Sequence, residues 1–218
     1  FGINRTNDFN KIVNVNKFNT QHSITDDFLR RANAGFREAD YTDLAYETYL
    51  FDYDSVAGLH ESDFHWYDNG YEYTVYGIEQ DITINRSGDM REYSFNFGVD
   101  FSEVVYLGAS FNLESVSYNE SFDIKESDDA DNYDYLNSLV YSTKLDVTGT
   151  GVNGKIGLIV KPHESIRFGL AAHTPTMYSL YEEYDANINA HYDVPINGYD
   201  YSLNDEYHSE FSYKVLKP

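Results

Sequence analysis

The feature that most constrains this chain is the run REYSFNFGVDFSEVVYLGASFNLESVSY, Arg91 to Tyr118, where apolar or aromatic residues alternate with small or polar ones. Successive side chains of a strand point to opposite faces, so period-two alternation of this length is a strand signature. Tyr93, Phe95, Phe97, Val99 and Phe101 share one face, and Glu92, Ser94, Asn96, Gly98 and Asp100 share the other. A tight turn at Ser102-Glu103 leads into a return strand. Val105, Leu107, Ala109, Phe111 and Leu113 lie on one of its faces, opposite Tyr106, Gly108, Ser110, Asn112 and Glu114. A second hairpin repeats the pattern in GVNGKIGLIVKPHESIRFGLAAHTPT. There Val152, Ile156, Leu158 and Val160 alternate with Asn153, Lys155, Gly157 and Lys161. After a turn at 162–165, Ile166, Phe168, Leu170 and Ala172 alternate with Arg167, Gly169, Ala171 and His173. The pattern predicts an all-β chain of about six antiparallel strands.

Each alternating run is about 9–11 residues, the length a tilted strand needs to cross a bilayer. The turns at 102–103 and 162–165 are tight, while the connections at roughly 17–88, 119–136 and 177–208 are expected to be long, acidic and Tyr-rich. Short turns at one end and long loops at the other suit an outer-membrane barrel. A soluble antiparallel sheet with one wet face alternates in the same way. The polar face mixes Gly, Ser and Asn with Lys155, Lys161, Arg167 and Glu114, which suits a wet lumen and favours the barrel. The expected fold is an antiparallel up-and-down transmembrane β-barrel segment over 1–218. Phe95, Phe97, Val99, Leu107, Phe111, Leu158, Phe168 and Leu170 are expected to meet lipid.

One stretch breaks the period. In SITDDFLRRANAGFREADYTDLAYETYLFDYD, Ile24, Phe28, Leu29, Ala32 and Phe36 fall at helical spacing, and Ser23 with Asp26 resembles a capping box. Gly35 marks a break. Asp40 or Thr42 could cap a second helix carrying Leu44, Ala45, Tyr49 and Leu50. This helical insertion, 23–53, is expected in the first extracellular loop. Its apolar stripe either packs on the sheet or lines a hydrophobic groove through Phe28, Leu29, Phe36, Leu44, Tyr49 and Leu50.

Composition narrows the function classes. The 218 residues hold 15 Lys+Arg against 37 Asp+Glu, a net charge of −22, which argues against nucleic acid as a partner. The 22 Tyr and 14 Phe argue against a disordered acidic tail. The absence of Cys excludes a disulfide scaffold and a thiol nucleophile. The opening FGINRTNDFN and the closing FSYKVLKP predict an internal piece of a longer protein. No nucleotide or hydrolase motif occurs, and His60 and His65 in HESDFHW lack a familiar metal spacing. Neither catalysis, nor a cofactor, nor a metal site is expected. The acidic run ESDDADNYDY, Glu126 to Tyr135, lacks the Gly and Glu of a calcium loop at their proper offsets and predicts a solvated loop.

Finally, VNGKIGLIVKPHESIRFGLAAHTPTMYSLYEEYDANI resembles the strand–turn–strand of the outer-membrane long-chain fatty acid and hydrocarbon transporter family. The Arg91–Tyr118 hairpin matches the preceding hairpin of that family, SYKVLKP the following strand, and Ile24–Asp54 the version in Bacteroidetes-type members. The resemblance implies a monomeric barrel in a bacterial outer membrane that passes long-chain fatty acids or similar hydrophobic compounds by diffusion. Lys155, Lys161 and Arg167 then become candidates to meet a fatty-acid carboxylate, and His173 a candidate to contact the substrate. The family's N-terminal plug motifs and last strands have no counterpart here, so these residues alone should not close a barrel. The competing expectation is a soluble or surface-displayed acidic β domain that binds glycan or protein through its Tyr-rich loops.

Overall fold

The computed structural model describes residues 1–68, 71–74, 76–128, 135–196, 198 and 200–217. Its main strands are β1 (Gly2–Asp8) and β2 (Lys11–Asn19), then an insertion, then β7 (Ile78–Phe101), β8 (Val105–Ser127), β9 (Leu136–His163), β10 (Ile166–His173), β11 (Thr176–Ile196) and β12 (Asp200–Lys217). The insertion holds α1 (Ile24–Asn33), α2 (Thr42–Glu47) and two small hairpins, β3 (Asp52–Asp54) with β4 (Leu59–Glu61) and β5 (His65–Asp68) with β6 (Tyr71–Thr74). It therefore extends beyond 23–53 and fills the whole connection from β2 to β7.

The eight main strands form one antiparallel sheet. β1 and β2 follow one another along β7, and β10 and β11 follow one another along β9, so the sheet has six rows in sequence order. This is an up-and-down meander of mostly antiparallel β structure. Among the described residues no ladder joins β12 to β1 or β2, so the sheet is open.

Two expectations about the connections are corrected. β7, β8 and β9 run for 24, 23 and 28 residues, more than twice the alternating apolar runs that announced them. Residues 119–127, 177–196 and 200–208 lie in strands, while 20–77 is a long connection. The turn at 102–103 is as tight as expected. Ser102 and Glu103 both take positive φ, 56° and 59°, and the Glu103 N–H donates to Asp100 Oδ1 at 2.9 Å. Two successive left-handed residues match the right-handed twist of the flanking strands.

The register shows why long strands were hidden. Residues directly opposite each other share a face, and the β7–β8 and β8–β9 ladders run without a slip. On one face, the outer, the lower rows are apolar: Phe97, Ala109, Ile156 and Ala172 align, as do Val99, Leu107, Leu158 and Leu170. Higher on that same face stand Asp81, Thr83, Ser121, Asp123, Ser142 and Lys144. The inner face is reversed. Its lower rows hold Asn96, Ser110 and Lys155 or Gly98, Gly108 and Gly157, and its upper rows hold Ile82, Ile124, Tyr141 and Ile188. Apolar residues thus change sides partway up every central strand.

The insertion accounts for the upper half of this reversal. Ser23 caps α1: its hydroxyl accepts from the Thr25 N–H, and Asp26 reaches back to the Ser23 N–H, forming the capping box. Gly35, at φ 82°, ends the helix, with its N–H bonded to Ala32 O and that of Phe36 to Arg31 O. Neither Asp40 nor Thr42 caps α2, since Tyr41 holds that position without a side-chain bond. Phe28, Leu29, Leu44 and Leu50 join Ile78, Ile124, Leu139, Tyr141, Ile188 and Tyr192 in one buried core. The helices therefore lie on the inner face of the upper sheet. Tyr192 donates to Thr48 O at 2.6 Å and Tyr141 to Asp40 O at 3.3 Å, fixing α2 and its approach to the strands.

Candidate functional site

Two places on the inner face gather polar side chains. The lower is a shallow cleft of about 140 Å³ where β7, β8, β9, β11 and the end of β12 converge. Alternation puts Glu92, Glu114, Asn153 and Lys155 on this face. Gly151 lets Tyr178 lie flat across the sheet, because a Cβ there would sit 2.7 Å from the Tyr178 ring. The Tyr178 hydroxyl donates to Glu114 Oε2. Asn153 Nδ2 donates to Glu114 Oε1 at 2.9 Å, and Asn153 Oδ1 accepts from Asn112 Nδ2 at 2.7 Å. Asn112 is 0% exposed, so this chain of amides satisfies polar groups that burial would otherwise leave costly. Lys155 Nζ meets Glu92 Oε2 at 3.2 Å, and His173 is the cross-strand partner of Lys155.

The upper place is the junction between sheet and insertion. Glu126 is 2% exposed and accepts from the Ser23 hydroxyl at 2.5 Å, the Ile24 N–H at 2.8 Å and the Gln80 amide. A carboxylate at the first turn of α1 complements the helix dipole. Burial nonetheless pushes the Glu126 carboxyl above its ordinary range, and the bonds from Ser23, Ile24 and Gln80 offset only part of that. Glu126 is therefore committed to holding α1, not to an acidic loop. Asp129, Asp131 and Asp134 of the calcium-like run lie outside the described residues.

The structure separates the residues expected to bind a ligand. Phe28, Leu29, Leu44 and Leu50 are sealed in the core beneath the helices, so they line no groove. Phe36 lies past the Gly35 break and is exposed. Tyr49 takes φ 58° after α2 ends and turns outward. These two are corrections to the expected apolar stripe, and the cause is local: Phe36 follows the left-handed Gly35 that ends α1, and Tyr49 is itself left-handed just past the end of α2. Lys155 and His173 come together in the lower cleft. Arg167 does not join them, since it stands beside the β9–β10 turn, six residues along β10 and roughly 20 Å away. Glu92, Glu114 and Asn153 were legible as polar-face residues but not as a cluster. Tyr178 and Glu126 gave no sequence signal, because their partners are remote in the chain. His60 is ringed by Tyr46, Phe51 and Tyr53 and bonded to Asn33, a packed position.

The residues expected to face lipid share one face of the sheet. Phe97 is 71% and Leu170 is 73% exposed; Phe95, Val99, Leu107, Phe111 and Phe168 are exposed too, and Leu158 is half-buried. Ile3 on β1 and Met177 with Leu216 on β11 and β12 carry the exposed apolar surface across to both edges. From Val105 to Leu113 the band spans nine residues of β8. That is roughly 30 Å along the strand, or about 23 Å of height at a ~40° tilt, close to the apolar belt of a membrane barrel. No helix among the described residues is long and apolar enough to cross a membrane. Comparison with known protein families, curated proteins and solved structures returns no match to this chain.

Proposed function

We propose that this chain is a wall segment of a bacterial outer-membrane β-barrel that lets long-chain fatty acids or similar hydrophobic compounds pass by diffusion, without chemistry. The observation that carries the membrane part is the reversal of polarity along the strands. A soluble sheet buries one face from end to end, and has no reason to expose an apolar band below and a polar one above. A barrel wall has a reason: lipid surrounds its lower part and water its upper part. On this reading the insertion lies inside the upper barrel and narrows the entrance. The hydrophobic cargo is supported by the resemblance of the Val152–Ile188 hairpin to the transporter family. Burying an acyl chain stabilises it by about 0.8 kcal/mol per CH₂, so apolar sites along a path lower the barrier to crossing. Lys155 remains a candidate for a carboxylate head group, with His173 beside it as a substrate contact, and the protein is expected to act as a monomer.

Reconstitution of the full-length protein in vesicles tests this. Entry of a long-chain fatty acid, followed with an internal fluorescent reporter, should exceed that of protein-free vesicles, while a sugar of similar mass should not enter faster. Equal fatty-acid entry with and without protein would remove the transport reading. The second reading, a soluble acidic binding domain, draws on the exposed Tyr46, Tyr49, Tyr53, Tyr71 and Tyr73 of the insertion. It requires the chain to stay monodisperse without detergent.

A further inference from the structure

We propose that Glu183, Asp185 and His208 form a binding site for a divalent transition-metal ion on the outer face of the β11–β12 pair, well above the apolar band. Asp185 and His208 are cross-strand partners, and Glu183 faces Glu210 one outer-face position down the same ladder. One ligand atom from each of the three residues lies within 4.8 Å of the others. Metal–nitrogen and metal–oxygen bonds of about 2.0–2.2 Å place donors up to roughly 4.2 Å apart across one ion, so small side-chain rotations close the set. His208 Nδ1 already sits 2.6 Å from Asp185 Oδ1, and its Nε2 lies 3.5 Å from Glu210 Oε1. Asp185, which holds the imidazole here, would share the ion with it.

Two further observations favour a cation. The neighbouring lysine, Lys144, opposes Asp185 from β9 but directs its ammonium to Asp146 at 2.5 Å, which leaves the cluster anionic. The ladder from Thr176 to His191 is unbroken against β12, so the backbone carrying the ligands is fixed before any ion arrives. One imidazole with carboxylates suits zinc or manganese better than calcium, which prefers oxygen ligands alone. His208 is exposed and the two acids are half-buried, so the ion would keep water on its open side. The ligands come from two strands, and no short motif in the sequence could have announced them.

Zinc titration of the full-length protein by calorimetry, at neutral pH in a buffer that does not chelate, tests the site. The expected result is saturable binding of one ion per chain, abolished by His208→Ala and weakened about tenfold or more by Asp185→Asn or Glu183→Gln. His191→Ala on the same strand should leave it intact, and far-ultraviolet circular dichroism should match in all variants. Binding unaffected by His208→Ala and Asp185→Asn, or the absence of saturable binding, would overturn the proposal. Neither result bears on transport, which the vesicle assay reads separately.

Discussion

The lower and upper halves of the same strands solve opposite problems. Below, Phe97, Leu107, Ile156 and Leu170 crowd the outer face with no protein over them, while Gly98, Gly108 and Gly157 leave the inner face bare. Above, Ile124, Tyr141 and Ile188 face inward beneath α1 and α2, while Asp123, Ser142 and Lys144 face out. The lesson is that face polarity is a local property of a strand, set by what lies against it at that height. One sheet can have two insides.

Substitutions that respect or violate this division should differ sharply. The largest effect is expected in the upper core. Phe28→Ala removes a ring that is 0% exposed and should cost about 3–5 kcal/mol, seen as proteolysis within the insertion while the β7–β8 hairpin stays resistant. Next, Phe97→Arg should cost about 2–4 kcal/mol if that position lies near the bilayer midplane, and should lower the folded fraction in membranes. Ser142→Arg, on the same face but above the band, should stay within about 0.5 kcal/mol in the same assay. Equal losses for the two arginines would erase the difference between the halves.

The junction is sensitive to pH. Glu126 holds its proton more tightly in the folded protein than at the ordinary value of 4.5, so the stability carried by its neutral form is complete below that pH. It declines as pH rises through the raised value, because the folded state then loses the proton that burial favours. Glu126→Gln should flatten this decline between mildly acidic and neutral pH in thermal melts. Glu126→Ala should instead cost about 1–3 kcal/mol at all pH values by leaving the Ser23 hydroxyl and Ile24 N–H unpaired. The smallest effect belongs to the turn: Glu103→Gly, at φ 59°, should gain about 1 kcal/mol by relieving left-handed strain, read as a raised melting temperature.

Much of the lower half was legible because Phe95 to Phe101 and Val105 to Leu113 alternate on a single parity. The capping box of α1 was legible for a similar reason, since Ser23 and Asp26 act within one turn. The upper strands were not. On β8 the apolar positions shift from odd, Leu107, Phe111 and Leu113, to even, Val116, Phe122 and Ile124, and a period-two scan across the shift averages to nothing. On β9 they shift from Leu139 and Tyr141 to Ile156 and Leu158, again changing parity. The lower cleft was half legible. Glu92, Glu114, Asn153 and Lys155 could be assigned a face, but only the register brings Tyr178 against Glu114.

The reversal itself can be measured directly, because the chain has no native cysteine. Single cysteines at Phe97, Gly98, Asp123 and Ile124 of the full-length protein, in cells, would be exposed to a membrane-impermeant thiol reagent and to a lipid-phase one. Lipid-phase labelling is expected at Phe97, aqueous labelling at Gly98 and Asp123, and protection from both reagents at Ile124. Protection of Phe97 from both reagents, as at Ile124, would place protein over both ends of the sheet and contradict the membrane wall.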